Sequence, residues 1–372
     1  MKTHLFAIAA ATLALTLPAS AQDEPDPRSS SEAVAPTKTP APSPNQIVDA
    51  ASQDEWVQIP AEDLLVMTLA PDAEGDERTV VIQLMPAPFS QGWVSNIRTL
   101  ARAKWYDGIT VNRVQDNYVV QWGDPGHDNP ESGETETKPL PEGLNVMVEE
   151  DYASETPWAL RSAAVAASGR RSIFTSGIES WNTSISGRDP YAMYSTLVAG
   201  FPVAGWQTPD AGNVWPVHCY GMVGVGRSYS PDTGSGAELY TVIGHAPRHL
   251  DRNIALVGRI ISGMEHLSSL PRGSGTLGFY TEEEADLRTP ILSIRVVSDL
   301  IVGDYKERDA VERKYAYEYL STESESFAKY AEARANRRDP FFIVPAGGAD
   351  ICNIPVPIRQ TEFVRYPPLD GE

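Results

Sequence analysis

The stretch "GITVNRVQDNYVVQWGDP", Gly108 to Pro125, decides the reading of this chain. Two short runs of β-branched and aromatic residues, Gly108–Val114 and Asn117–Gln121, are separated by too few residues for anything but a tight turn. They predict an antiparallel hairpin that stops at Gly-Asp-Pro. One arginine, Arg113, sits inside the first run, with no nucleophile, phosphate loop or metal-ligand cluster beside it in sequence.

Upstream, "LLVMTL" (Leu64–Leu69) and "TVVIQLM" (Thr79–Met85) read as two more strands around an acidic loop. Ser90 is a candidate N-cap for a helix in which Trp93, Ile97, Leu100 and Ala101 recur at helical spacing as far as about Lys104. Downstream, after a polar loop, "LNVMVEEDY" (144–152) predicts a further strand. The region from about 154 to 214 carries an alanine-rich helix candidate, Pro157–Ala167, and otherwise reads as an insertion. Strand signals return at "VHCYGMVGV", "ELYTVIG" (Glu238–Gly244) and "ILSIRVV" (Ile291–Val297), with a strand running into a helix between the last two. Beyond Asp304 the pattern predicts two helices, Val311–Leu320 and Glu323–Arg337, the second opened by Thr322 and Glu325 at capping-box spacing and stopped by Pro340.

The N-terminus pairs one lysine, Lys2, with an apolar run from Leu5 to Leu17 and small residues Ala19 and Ala21. This pattern predicts a signal peptide over 1–21, cleaved before Gln22, and hence a periplasmic protein; the run is short of the ~20 residues a membrane helix needs. Residues 22–50 are rich in Pro, Ser and Ala and predict a flexible linker. The expected domains are then 51–302, with the insertion, and a helical extension and tail over 303–372. Against 30 basic residues stand 50 acidic ones, a net charge of −20, which opposes nucleic acid or an anionic membrane surface as a partner. Cys219 and Cys352 are the two cysteines, compatible with one bridge in an oxidising compartment or with two buried thiols.

His218, His245, His249 and His266 form no pair at metal-ligand spacing, so neither a metal nor a cofactor is expected. "GMVGVGRS" (Gly221–Ser228) is followed by no helix start and reads as a turn, not a dinucleotide loop. No G-x-S-x-G elbow occurs, and Asn182-Thr183-Ser184 is a chance-level sequon.

With those chemistries set aside, the chain resembles the cyclophilin-type peptidyl-prolyl cis/trans isomerases. The family carries Phe-His-Arg-Val, three variable residues, Phe, two apolar residues and Gln-Gly-Gly-Asp; here stand Val111-Asn112-Arg113-Val114 and Tyr118-Val119-Val120-Gln121-Trp122-Gly123-Asp124. "TVVIQLMPAPFSQGWVSNIRTLARAKWYDGITVNR" is similar to the family's strand, first helix and Tyr-Asp-Gly turn. "GSGAELYTVIGHAPRHLDRNIALVGRIISGME" is similar to its Gly-Ser-Gln-Phe-Phe strand, Trp-Leu-Asp turn and Val-Phe-Gly-Lys-Val ending. The resemblance implies a mainly β fold, an eight-stranded antiparallel barrel closed by two helices, to which the insertion and the C-terminal helical segment are additions.

It also implies roles. Arg113 is the catalytic cation and Gln121 positions the substrate backbone, while Tyr118, Val119, Glu238, Leu239, Tyr240, His249 and Val257 bind the substrate. Asn112, Trp122, Ile254 and Val257 depart from the family's usual histidine, glycine, histidine and phenylalanine. The implied activity is rotation of X-Pro bonds in proline-containing, exported polypeptides. A non-catalytic proline-binding or chaperone module of the cell envelope is the alternative, and a scaffold that docks a partner through the helical extension is a third.

Overall fold

The computed structural model describes residues 40–155, 189–207 and 212–361. The signal-peptide reading, the helix candidate at Pro157–Ala167 and the sequon lie outside these residues. Along the chain the strands are β1 (Trp56–Gln58), β2 (Leu64–Leu69), β3 (Arg78–Leu84), β4 (Thr110–Val114), β5 (Val119–Gly123), β6 (Ser154–Glu155), β7 (Tyr194–Val198) and β8 (Phe201–Gln207). They continue as β9 (Gly212–Pro216), β10 (Met222–Val225), β11 (Glu238–Val242), β12 (Leu256–Ser262), β13 (Ile291–Val296), β14 (Tyr317–Leu320) and β15 (Ile358–Gln360). The longer helices are α1 (Pro44–Asp49), α2 (Gln91–Arg102), α3 (Tyr305–Lys314) and α4 (Glu325–Ala335).

Eight strands form one antiparallel sheet in the order β13-β2-β3-β12-β10-β11-β5-β4. Its two ends approach each other: Gly108 and Ile109 exchange backbone hydrogen bonds with Ile291 at 3.0 and 2.8 Å, so the sheet is a nearly closed barrel. Strands such as β5 and β11 alternate between the two faces of the sheet. Val111, Val120, Trp122 and Leu239 point into the core, where α2 adds Trp93, Ile97 and Leu100 across one end. Ser90 does hold the cap position of α2, but at φ 53° and without a side-chain cap bond.

The inserted region forms its own four-stranded sheet, β6-β9-β8-β7. The β7–β8 turn is Ala199-Gly200, both at positive φ, as a two-residue hairpin requires. A Cβ on Gly200 would lie 2.9 Å from the Tyr319 ring and 3.3 Å from Arg259, so only glycine lets this turn dock between the barrel and the C-terminal segment. A third sheet, β1-β14-β15, belongs to the C-terminal extension, and the Cys219–Cys352 disulfide joins that extension to the loop before β10.

Four expectations are corrected. The predicted helix Val311–Leu320 is split: α3 begins at Tyr305, because Asp304 caps Lys306 and Glu307, and Tyr317–Leu320 is strand β14. Its Tyr-Glu-Tyr-Leu alternation buries Glu318 and Leu320 between β1 and β15, both distant in sequence. The cap of α4 is Ser324, not Thr322, its hydroxyl accepting from the Phe327 amide. The linker ends sooner than residue 50, since Ser43-Pro44-Asn45-Gln46 is a capping box with proline at the first helical position; α1 follows and packs on α4. Lastly, 144–152 is no strand. Val146 and Val148 are exposed, and the backbone of Asn145 bonds the Asn96 side chain at both its N–H (2.7 Å) and its C=O (3.0 Å), which replaces a strand partner.

Candidate active site

The opening hairpin builds the site. In the β4–β5 ladder the register shifts between Val111 and Arg113, which pair with Trp122 and Gln121. With Val111 and Val114 both inward, the bulge lets two consecutive residues, Asn112 and Arg113, face outward. On β5 the outward residues are Val119 and Gln121, and on β11 they are Glu238, Tyr240 and Val242. Val119, Tyr240 and Val242, with Tyr118 and Ile254 against them, make an apolar cluster on the outside of the barrel.

Arg113 is buried beside this cluster. Its Nε donates to the Leu277 carbonyl at 2.7 Å, one Nη to Gln121 Oε1 at 3.0 Å and the other to Gln115 Oε1. Tyr118 and Phe279 stack over the guanidinium with ring centroids 5.7 and 5.2 Å away. Five N–H groups less these three bonds leave two without a partner among the described residues. Burial pushes the Arg113 pKa down, while the nearby charges of Glu131 and Glu238 favour the cation. Burial likewise pushes the Tyr118 hydroxyl up, so it is neutral.

Arg113 and Gln121 border a cavity of about 420 Å³ whose apolar wall is Tyr118, Val119, Tyr240 and Ile254. Glu131, Arg227 and Tyr229 also line it. Five of the nine predicted site residues therefore meet here: Arg113, Gln121, Tyr118, Val119 and Tyr240.

The other four do not. Leu239 faces the core because β11 alternates, and Val257 is fully buried in that core. Glu238 faces outward but is wholly buried, its Oε1 accepting from Asn112 Nδ2 at 3.2 Å; the carboxylate that does line the cavity is Glu131. His249 is exposed, since Arg248–Leu250 is a 3₁₀ turn in which adjacent side chains diverge by about 120°; Leu250 lines the cavity in its place. Sequence reading also missed Gln115 and Leu277. Gln115 is two residues from Arg113 and could have been suspected, whereas Leu277 reaches it only through the fold. Among the described residues no three His, Cys, Asp or Glu side chains are grouped to hold a metal ion.

Residues 75–296 match the family model of the cyclophilin-type peptidyl-prolyl cis-trans isomerase/CLD. Among solved structures, a cyclophilin from Hirschia baltica is similar with a TM-score of 0.51 and 17% identity, over 84% of this chain and 99% of its own. A cyclophilin-type peptidyl-prolyl cis-trans isomerase from Cryptosporidium parvum gives 0.32 and 12%, over 63% of this chain and 96% of its own. The first likeness bears on the fold alone. No curated protein matches the sequence.

Proposed function

The chain belongs to the cyclophilin-type peptidyl-prolyl cis-trans isomerases, and from that premise we propose that the Arg113 cavity rotates X-Pro bonds in exported polypeptides. The observation that carries this reading is a guanidinium with two N–H groups left over from its protein bonds, fixed beside the apolar wall of a cavity of about 420 Å³.

An X-Pro amide resists rotation by roughly 20 kcal/mol through C–N resonance. In the twisted state resonance is lost, and the prolyl nitrogen regains a lone pair that can accept a hydrogen bond. A donor aimed at that nitrogen binds the twisted amide better than the planar one, which is what lowers a barrier. Tyr118, Val119, Tyr240 and Ile254 hold the ring by apolar contact. Arg113 supplies the donor, and its three protein bonds hold it in place before substrate arrives. Gln121 has its Oε1 occupied by Arg113, so it offers a peptide carbonyl its Nε2 donors.

The Cys219–Cys352 disulfide supports an oxidising compartment, and with the signal-like N-terminus it favours a periplasmic setting and exported clients. The test is a protease-coupled isomerisation assay on an Ala-Pro peptide with the mature chain. Catalysed relaxation that is abolished with Arg113 is expected; peptide binding without acceleration would leave the non-catalytic proline-binding module in its place.

A further inference from the structure

We propose that Tyr240 is a positioning residue of the proline cavity, its ring locked by a buried chain of His218, Asp251 and Arg248 that reaches the inserted region. This inference rests on the isomerase reading above. Tyr240 forms part of the cavity wall, yet its hydroxyl is turned away from the cavity and lies 2.9 Å from His218 Nε2. The His218 and Tyr240 rings are nearly parallel, at 10°, with centroids 6.4 Å apart.

The direction of each hydrogen bond follows from the charges. Asp251 Oδ2 accepts from Arg248 Nε at 2.7 Å, and Arg248 Nη2 bonds Asp189 Oδ2 at 2.9 Å, so Asp251 is an ion-paired acceptor. Its Oδ1 takes both the His218 backbone N–H, at 3.1 Å, and Nδ1, at 2.9 Å. Nδ1 therefore carries the ring proton and Nε2 is bare, and the Tyr240 O–H must donate to it. A second feature fits the hydroxyl: a Cβ on Gly224 would stand 2.3 Å from Tyr240 Oη, so a side chain is missing where the phenol tip lies.

The same arrangement excludes Tyr240 as a nucleophile or base. Its proton is engaged away from the cavity, and burial pushes its pKa well above the ordinary 10. What remains is orientation. A phenylalanine would cover the same apolar area without burying a histidine, a carboxylate and a guanidinium, whose removal from water is costly. The polar chain fixes one ring rotamer, and with it the face that a proline ring meets.

The test is a double-mutant cycle on the full chain, with KM and kcat measured on an Ala-Pro peptide and thermal melting recorded for each variant. His218→Leu is expected to raise KM about five- to tenfold, as for one lost buried hydrogen bond, with kcat within about twofold. In a Tyr240→Phe background the same change should add less than about twofold, because the bond it removes is already gone. An equal rise of KM in both backgrounds, or a fall of kcat at constant KM, overturns the proposal. Should His218→Leu not fold, Tyr240→Phe decides alone: a KM rise of about threefold supports the lock, and an unchanged KM refutes it. A wild-type chain that binds peptide without turnover defeats the isomerase reading only, and the cycle is then read in peptide Kd.

Discussion

Two arginines on the outside of one barrel are buried almost equally: Arg113 on β4 is 7% exposed and Arg259 on β12 is 8%. Arg259 is sealed. Its Nε and one Nη donate to Gln83 Oε1 at 2.9 and 2.8 Å, the other Nη donates to the Gly200 carbonyl at 2.6 Å, and Phe201 stacks 4.4 Å away. Burial pushes its pKa down to about 10, still far above neutral pH. Gly200 and Phe201 come from the inserted sheet, so the insertion covers this face. Each guanidinium keeps two N–H groups after its three bonds, and what differs is the surroundings: Arg113 borders a cavity among the described residues, whereas Gly200 and Phe201 close over Arg259. Among the described residues an added element covers the one arginine, and a cavity borders the other.

The sharpest way to break that contrast is to remove each cation in turn. Arg113→Ala should lose about 10²–10³ in kcat, as for one preorganised donor at a transition state, with a stability loss no larger than that of Arg259→Met, because water in the cavity can reach the acceptors it leaves. Arg113→Lys should recover little, because an ammonium cannot keep the Leu277, Gln121 and Gln115 bonds and still address the substrate. If Arg259→Met lowered kcat as much in folded protein, the contrast would be wrong.

The covered face depends on the C-terminal extension, whose Tyr319 abuts the Gly200 turn. The disulfide that fastens this extension closes a span of 133 residues. Its removal, as the double variant Cys219→Ser with Cys352→Ser, should cost about 2–4 kcal/mol in urea titration while kcat per folded molecule stays constant.

A smaller effect is expected for Arg259→Met itself. Gln83 Oε1 and the Gly200 carbonyl would lose a buried donor, a loss of about 1–3 kcal/mol seen in urea or melting, with KM and kcat unchanged. A loss of activity without a loss of stability would show that the insertion acts on the cavity through this arginine.

The smallest effect is graded by pH. Burial depresses the pKa of His218 below the ordinary 6.5; Arg248 and His249 push the same way, and the bond to Asp251 opposes it. Such a base is neutral in the fold and protonated in the unfolded chain at mildly acid pH. Its contribution is therefore complete above about pH 6.5 and is lost as pH falls toward the folded value, at up to about 1.4 kcal/mol per unit. Melting from pH 7.5 to 5.0 should show this slope, and His218→Leu should flatten it.

How much of this was legible in the chain follows the distance over which each feature is decided. The β4–β5 hairpin, Arg113, Tyr118, Val119 and Gln121 lie within a dozen residues of one another, and period-two alternation with a short turn fixes their faces. Tyr240 was legible through a matching strand motif, but the inward turn of Leu239 needed the strand's phase, and the fate of His249 needed the pitch of a 3₁₀ turn. Composition misleads at α1, where a proline-rich stretch conceals a capped helix, and at β14, where β-formers follow a helix so closely that they resemble its continuation.

The sequence by itself determined the barrel's strands, the acidic balance and the arginine around which the site is organised, because alternation, charge and local turns are written over short spans. Tertiary structure alone decided that Leu277 anchors that arginine, that Glu131 and not Glu238 faces the cavity, and that His218, Asp251 and Arg248 lie behind Tyr240. It also decided that, among the described residues, the inserted sheet covers Arg259 and a cavity borders Arg113. Each of these is a contact between residues far apart along the chain, made or prevented by how added sheets settle on the barrel, and no local pattern encodes it.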